Sequence, residues 1–166
     1  MYAFEFVKPS SLEEAVKALA SEGAQPYAGG QTLISTLKAR LNAPEVLVSL
    51  TGIAELKGVC RDGDALVIGA ATPHAEVARA AAKDYPGIAA LAGQIGDPAV
   101  RNRGTIGGSV ANNDPSACYP AGVLGSGGTI VTNQREIAAD DFFEGMFATA
   151  LEEGEIITSV RLPIPE

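Results

Sequence analysis

The chain contains few of the residues from which disulfide frameworks and side-chain metal sites are built. Its 166 residues include only two cysteines, Cys60 and Cys118, and one histidine, His74, and they include no tryptophan. The cysteines are far apart and form no C-x-x-C pair, so the sequence predicts neither a disulfide framework nor a cysteine-based metal site. No nucleophile or orienting partner is evident for His74, which we interpret as an ordinary surface histidine. Any chemistry is therefore expected to come from a bound cofactor.

Basic residues and long apolar segments are also scarce. Twelve Lys and Arg against 20 Asp and Glu give a net charge of −8, and the sequence pI is about 4.6. This balance argues against nucleic acid or an anionic membrane as a partner. No apolar run is long enough to span a bilayer, and the N-terminus lacks the basic and apolar parts of a signal peptide. The sequence thus predicts a cytoplasmic protein.

Glycine, in contrast, is abundant, with 19 residues, and two segments concentrate it. The first is Tyr27–Ile34 and the second is Gly104–Asn112; in each, a glycine pair precedes a polar residue and an apolar stretch. Such segments expose backbone N–H groups and have no Cβ to keep a ligand away. Two of them in one small domain predict an extended ligand with several phosphates, held at both ends.

Each glycine segment also has an interpretation without a ligand. The first is compatible with a tight turn between a strand and a helix. The second is compatible with close packing of backbone between two lobes. Neither segment has the lysine of a P-loop or the three glycines of the dinucleotide fingerprint, so the motifs alone leave these alternatives open.

The two parts of the chain have different hydrophobic patterns. Residues 1–55 alternate predicted strands and helices in the order β-α-β-α-β, which favours a small parallel sheet. Beyond residue 55 the pattern predicts a hairpin around Gly63, several helices and a last strand over residues 156–162. It also predicts an ordered loop over residues 111–127 that contains a short helix near residues 120–125. We place a boundary between two lobes near residue 55.

The glycine segments resemble the flavin-binding motifs of a known family. Ala28–Leu33 looks like the first flavin-binding motif of the FAD subunits of molybdenum hydroxylases, and Thr105–Gly108 looks like the second. These subunits include the medium subunits of aerobic carbon monoxide dehydrogenases and the FAD domain of xanthine dehydrogenase. Asp97–Arg101 and the closing Gly154–Ile157 match as well. The resemblance covers essentially the whole chain.

The resemblance implies an α+β fold of the PCMH type that binds FAD. Residues 1–166 would form one FAD-binding domain, with a small β-α-β lobe over about 1–55 and a larger mixed-sheet lobe over about 56–166. The implied function is that of an FAD-binding electron-transfer subunit or fragment of a molybdenum-containing hydroxylase or dehydrogenase. Its implied partners are an iron–sulfur small subunit, which supplies electrons, and a molybdenum-cofactor large subunit, which carries the substrate site. An external acceptor would receive the electrons from the flavin.

The resemblance also assigns residues to the cofactor. Residues 28–33 would bind the pyrophosphate, residues 105–109 would follow the phosphate and ribityl chain, and two isoleucines would line the flavin. The implied cofactor-binding residues are Ala28, Gly29, Gly30, Gln31, Thr32, Leu33, Ile95, Thr105, Ile106, Gly107, Gly108, Ser109, Cys118 and Ile157. No catalytic side chain and no metal ligand is implied.

The chain departs from the family pattern in three ways. Ser109 stands where the family usually has asparagine, and Cys118 stands where it often has an aspartate that bonds the flavin hydroxyls. The sequence also stops before the C-terminal domain of the relatives. These departures favour an alternative function, a non-catalytic assembly or interaction module with the same fold that has lost tight flavin binding. The intact glycine segments favour the flavoprotein.

Overall fold

The computed structural model describes residues 1–165, and its first 49 residues form a three-stranded parallel sheet. The strands are β1 (Glu5–Val7), β2 (Ala24–Tyr27) and β3 (Val46–Ser49), and β3 lies between the other two. Helix α1 (Leu12–Leu19) connects β1 to β2, and helix α2 (Leu33–Lys38) connects β2 to β3. The predicted β-α-β-α-β order and the small parallel sheet are confirmed.

Helix α1 begins with a cap that its sequence encodes. The side chain of Ser11 accepts a hydrogen bond from the backbone N–H of Glu14 at 3.2 Å. The Glu14 carboxylate accepts from the backbone N–H of Ser10 at 2.7 Å, so the reciprocal bond of the capping box is made one residue earlier than in the standard motif. Ala15 and Leu19 are the buried residues of this helix. Capping and one apolar face together fix this short helix.

The second sheet is antiparallel and has five strands. In chain order the remaining strands are β4 (Val59–Asp62), β5 (Ala65–Gly69), β6 (Thr129–Thr132), β7 (Glu136–Ala138), β8 (Phe143–Gly145), β9 (Ala148–Thr149) and β10 (Ile157–Pro163). The order in the sheet is β4-β5-β10-β6-β7, and β8 pairs only with β9. The predicted hairpin at Gly63 is confirmed, since β4 pairs antiparallel with β5 across that turn. The two larger sheets, the β8–β9 pair and the interspersed helices confirm the α+β class.

Short helices surround the second sheet. They are α3 (His74–Ala80), α4 (Pro86–Gln94), α5 (Pro98–Arg101), α6 (Ile106–Asn112), α7 (Cys118–Gly125) and α8 (Ala139–Phe142), and a 3-10 turn spans Ala54–Leu56. The short helix predicted near residues 120–125 is confirmed as α7, which begins at Cys118, whereas the predicted loop is shorter than residues 111–127 because α6 extends to Asn112. Glycine, proline and asparagine give these segments low helix propensity. Burial of Tyr119 and Val123 in α7 supplies the stabilisation instead.

Two clusters of buried side chains hold the chain together. The larger one joins the second sheet to its helices and includes Ile68, Ile106, Tyr119, Phe142 and Val160. The smaller one contains Ala15, Leu19, Val48, Leu50, Ile53, Leu56, Ala71 and Ile156, which come from both sides of residue 55. The two predicted lobes thus share apolar packing, and the boundary near residue 55 stays a proposal.

None of the helices in the described part of the chain has the length and apolar character needed to cross a membrane.

Candidate cofactor site

A cleft of about 710 Å³ runs between the two sheets, and it collects most of the predicted cofactor-binding residues. Its size is in the range of small-molecule and cofactor sites. The predicted residues that line it are Ala28, Gly29, Gly30, Gln31, Thr32, Leu33, Ile95, Thr105, Gly107, Gly108, Ser109 and Ile157. Residues from the first sheet, from the α3–α6 region and from the segment before β10 therefore meet at one place.

Two predicted residues do not line this cleft. Ile106 is fully buried and belongs to the larger core cluster. Cys118, the first residue of α7, is exposed outside the cleft, although the preceding Ala117 lines it. The family resemblance assigned Ile106 to the cofactor as a member of the second motif, but on a helix only some of the consecutive positions face a given neighbour.

The first glycine segment presents a row of free backbone donors. Strand β2 ends at Tyr27, α2 begins at Leu33, and Gly30 between them has a left-handed φ of +72°. Within residues 1–165, no acceptor pairs with the backbone N–H groups of residues 29–33. Thr32, the N-cap of α2, makes no side-chain capping bond. A succession of unpaired N–H groups around a left-handed glycine is an anion-binding arrangement.

The second glycine segment has a different role, and the prediction that it exposes N–H groups was wrong. Its residues form the start of α6. The N–H of Gly107 donates to the carbonyl of Ala70 at 2.9 Å, and the N–H of Ile106 donates to the carbonyl of Thr72 at 3.4 Å. The N–H of Gly108 donates to the Thr105 hydroxyl at 3.2 Å. These three N–H groups are therefore already hydrogen-bonded within the protein.

Close packing, which the sequence left as an alternative, explains the glycines at two positions. A Cβ on Gly107 would lie 2.6 Å from Cβ of Ala70. A Cβ on Gly29, in the first segment, would lie against the carbonyl of Arg103 and 2.6 Å from Cα of Gly104. The latter contact brings the two glycine segments together, so that both line one cleft. Gly108 differs, because it is exposed towards the cleft and its nearest neighbour would be the Thr105 hydroxyl at 3.0 Å.

A buried carboxylate fixes the wall of the cleft formed by residues 151–157. The side chain of Glu155 is completely buried. It accepts hydrogen bonds from the Thr132 hydroxyl at 2.7 Å, from Arg135 Nε at 3.0 Å and from the backbone N–H of Glu152 at 2.8 Å. The Arg135 guanidinium and these other donors lower the pKa of Glu155 to about 2. The carboxylate is therefore charged and fully paired, as buried charges in stable proteins are.

His74 is not the surface residue that the sequence predicted. It is 5% exposed, lines the cleft and packs its ring 5.2 Å from that of Tyr119. Within the described chain, neither His74 Nδ1 nor the Tyr119 hydroxyl has a hydrogen-bond partner. Burial lowers the pKa of His74 to about 4, so the imidazole is neutral near pH 7. The spacing of His74 and Val77 on one helix face was the signal for burial that the sequence offered.

The lining of the cleft carries no lysine or arginine. Its ionisable side chains are His74, Asp114, Glu152, Glu153 and Glu155. Among residues 1–165 there is also no cluster of three or more His, Cys, Asp or Glu side chains that could hold a metal ion. An anionic ligand in this cleft would depend on the backbone N–H groups of the first glycine segment.

Comparison with known proteins identifies relatives of the whole chain. Residues 2–165 match the family model described as the FAD binding domain in molybdopterin dehydrogenase. The chain is 40% identical over 172 aligned positions to the carbon monoxide dehydrogenase medium chain of Afipia carboxidovorans, with 98% of this chain and 59% of that protein covered. It is 36% identical to the nicotine 6-hydroxylase medium subunit of Paenarthrobacter nicotinovorans, with 97% and 59% covered.

Solved structures agree with this similarity. The carbon monoxide dehydrogenase of Hydrogenophaga pseudoflava superposes with a TM-score of 0.95 at 36% identity, covering 99% of this chain and 60% of that one. The quinoline 2-oxidoreductase of Pseudomonas putida 86 gives a TM-score of 0.95 at 35% identity with the same coverage. The chain thus spans about three fifths of the length of the relatives that it matches.

Proposed function

Because the chain belongs to the family of FAD-binding domains of molybdopterin dehydrogenases, whose cofactor is FAD, we propose that it is the FAD-holding part of a medium subunit and passes electrons through the flavin. In this proposal an iron–sulfur partner supplies the electrons and an external acceptor receives them. The substrate site lies on a molybdenum-containing partner. The medium chains of carbon monoxide dehydrogenase and nicotine 6-hydroxylase support this role by similarity.

The row of free N–H groups at residues 29–33 carries the proposal. A pyrophosphate bound there would accept hydrogen bonds from several amides at once and would lie near the start of α2. This mode of binding needs no cationic side chain, which agrees with a cleft without lysine or arginine in a chain of net charge −8. FAD, with two linked phosphates, fits this arrangement.

The remaining cleft residues would orient the rest of the cofactor. Gly108 has no Cβ on the face that it turns to the cleft, so the ribityl chain could approach the backbone closely. Thr105 and Ser109 add hydroxyl groups beside it, and Ile95 and Ile157 offer apolar surface to the flavin ring. Bound FAD would supply the redox chemistry, since it can take up and release electrons singly or in pairs. The protein would bind the flavin, orient it and exclude water from part of it.

Absorption spectroscopy of the purified protein, followed by titration with FAD, tests the proposal. We expect either a flavin band that accompanies the protein or saturable uptake of added FAD. ADP should compete with FAD, because it carries the same pyrophosphate and adenosine. A protein that stays colourless and binds neither compound would contradict the proposal and would favour the interaction module.

The proposed role in electron transfer needs a second measurement. In a rapid-mixing experiment, a reduced [2Fe–2S] protein of the parent complex should reduce the flavin of the reconstituted protein. An added electron acceptor should then reoxidise the flavin. A flavin that binds but exchanges no electrons with that partner would restrict the function to cofactor binding.

A further inference from the structure

An amide pair lies in the same cleft, away from the glycine segments. Asn42 Nδ2 donates a hydrogen bond to Gln25 Oε1 at 2.8 Å, and both residues line the cleft. Gln25 lies on β2, which is an edge strand of the first sheet. Asn42 follows α2, in the connection to β3. The fold therefore brings together two amides that are 17 residues apart in the sequence.

The pair is joined by only one hydrogen bond, so it retains unused hydrogen-bonding capacity. Gln25 Nε2 and Asn42 Oδ1 have no partner among the residues that the structure describes. An exchange of oxygen and nitrogen in both amides would leave Gln25 Oε1 and Asn42 Nδ2 instead. In either orientation the pair offers one free donor and one free acceptor side by side.

The cleft that the pair lines also has apolar side chains. Ala24, Pro26 and Leu33 are among its lining residues, and the hydroxyl of Thr36, another lining residue, is already bonded to the carbonyl of Leu33 at 2.8 Å. Apolar walls with one donor and one acceptor suit a flat heteroaromatic base whose edge has the complementary pair. The Watson–Crick edge of adenine has this chemistry, with N6–H as donor and N1 as acceptor.

The position of the pair also agrees with a nucleotide held by the first glycine segment. Gln25 precedes Gly29 by four residues, and β2 ends between them at Tyr27; four residues span at most about 13 Å at the rise of an extended strand. A pyrophosphate on residues 29–33 would leave its adenosine free to extend along this edge of the sheet. Because β2 is an edge strand, no other strand covers this path within residues 1–165.

We propose that Gln25 and Asn42 form the base-recognition end of the cofactor site and bind the N1–N6 edge of the adenine of FAD. This inference rests on the proposed function. It makes the pair a specificity determinant that distinguishes FAD from flavins without an accessible adenine edge. The hydrogen bond between the two amides then orients both for the base.

Three flavins separate this role from a merely structural one. FAD has a free adenine edge, 1,N6-etheno-FAD has the same edge blocked, and FMN has no adenine. The unaltered protein should bind FAD about ten-fold more tightly than etheno-FAD, the loss expected when two hydrogen bonds to neutral groups are not formed. Fluorescence titration measures all three affinities and needs no variant.

The double variant Gln25→Ala/Asn42→Ala completes the experiment. It should bind FAD and etheno-FAD equally and should bind FMN as the unaltered protein does. Gln94→Ala, on an exposed residue of α4 outside the cleft, is the matched control and should keep the full preference for FAD. If the pair had only a structural role, the double variant would bind all three flavins more weakly by a similar factor.

Two outcomes would overturn the inference in distinguishable ways. The adenine assignment would be wrong if the unaltered protein bound FAD and etheno-FAD with equal affinity. It would also be wrong if the double variant kept the preference for FAD. Either result would leave the proposed function intact. Failure to take up any of the three flavins would overturn the proposed function and this inference with it.

Discussion

Gly107 packs directly on Ala70: its backbone N–H donates to the Ala70 carbonyl at 2.9 Å, and an added Cβ would lie 2.6 Å from the Ala70 Cβ. This contact attaches the start of α6 to the end of β5. A Cβ on Gly108, the next residue, would come closest to the Thr105 hydroxyl, at 3.0 Å, and Gly108 is exposed towards the cleft. Two adjacent glycines of one motif therefore have different surroundings: the first packs against the protein, and we propose that the second gives a ligand access to the backbone.

The substitutions Gly107→Ala and Gly108→Ala should separate these purposes. Gly107→Ala overpacks the contact with Ala70 and should lower the free energy of unfolding by about 1–3 kcal/mol. Gly108→Ala should change stability by less than about 1 kcal/mol, because alanine also has the higher helix propensity, but it should weaken FAD binding. Urea unfolding and FAD titration of both variants measure this. Equal loss of stability in the two variants would contradict the division.

Gly30 is expected to control the free N–H groups of the first segment. Its φ is +72°, and an added Cβ would lie 2.7 Å from the ring of Tyr27 and 2.8 Å from Ile34. Gly30→Ala should therefore distort the segment and lower FAD affinity by at least about ten-fold, since a strained left-handed residue costs on the order of 1–3 kcal/mol. Gly127→Ala is the matched control, because Gly127 is also left-handed but lies outside the cleft. Titration with FAD should show the loss only for Gly30→Ala.

The buried imidazole of His74 predicts a stability that depends on pH. The pKa of His74 falls from 6.5 to about 4 on burial. Between these values the unfolded chain binds a proton that the folded chain does not, so the free energy of unfolding decreases as the pH falls from 6.5 towards 4. The total loss from this group is up to about 3 kcal/mol, and no more is lost below pH 4.

Urea unfolding between pH 7 and pH 4.5 tests this dependence. The variant His74→Leu should lose the slope in that range. Glu155 does not interfere, because its stabilisation is present above its unfolded pKa of 4.5 and is lost only as the pH falls from there towards about 2. An unchanged slope in His74→Leu would mean that another group titrates.

The ion pair of Arg135 and Glu155 should contribute much more to the free energy of unfolding than the surface ion pair of Arg161 and Asp62. Arg135→Ala leaves the buried Glu155 carboxylate without its cation and should lower the free energy of unfolding at pH 7 substantially. Arg161→Ala removes the partner of the exposed Asp62 and should change the free energy of unfolding far less, because solvent screens an exposed ion pair. Chemical unfolding of both variants gives the comparison. Similar losses would show that Glu155 is paired adequately by Thr132 and the backbone alone.

Local patterns in the sequence were sufficient for much of the fold. The hairpin at Gly63 and the β-α-β-α-β order of residues 1–55 follow from patterns among near neighbours, and the structure confirms both. The loop predicted over residues 111–127 was too long, because α6 extends to Asn112 and α7 already begins at Cys118. Glycine and proline give α7 low helix propensity, and its stabilisation comes from the distant core around Tyr119. His74 was misjudged for the same reason, since its burial depends on contacts with Tyr119 and with the chain at Gly104.

The sequence by itself determined where backbone could come close to another group, because only glycine leaves that space, and it thereby marked residues 29–30 and 107–108. It did not determine what approaches at each place. The tertiary structure decided that Gly29 meets the backbone at Arg103 and that Gly107 meets Ala70, whereas the N–H groups of residues 29–33 stay free and Gly108 faces the cleft. The physical reason is that a backbone N–H is satisfied by whichever acceptor the fold brings near, and that acceptor is distant in the sequence.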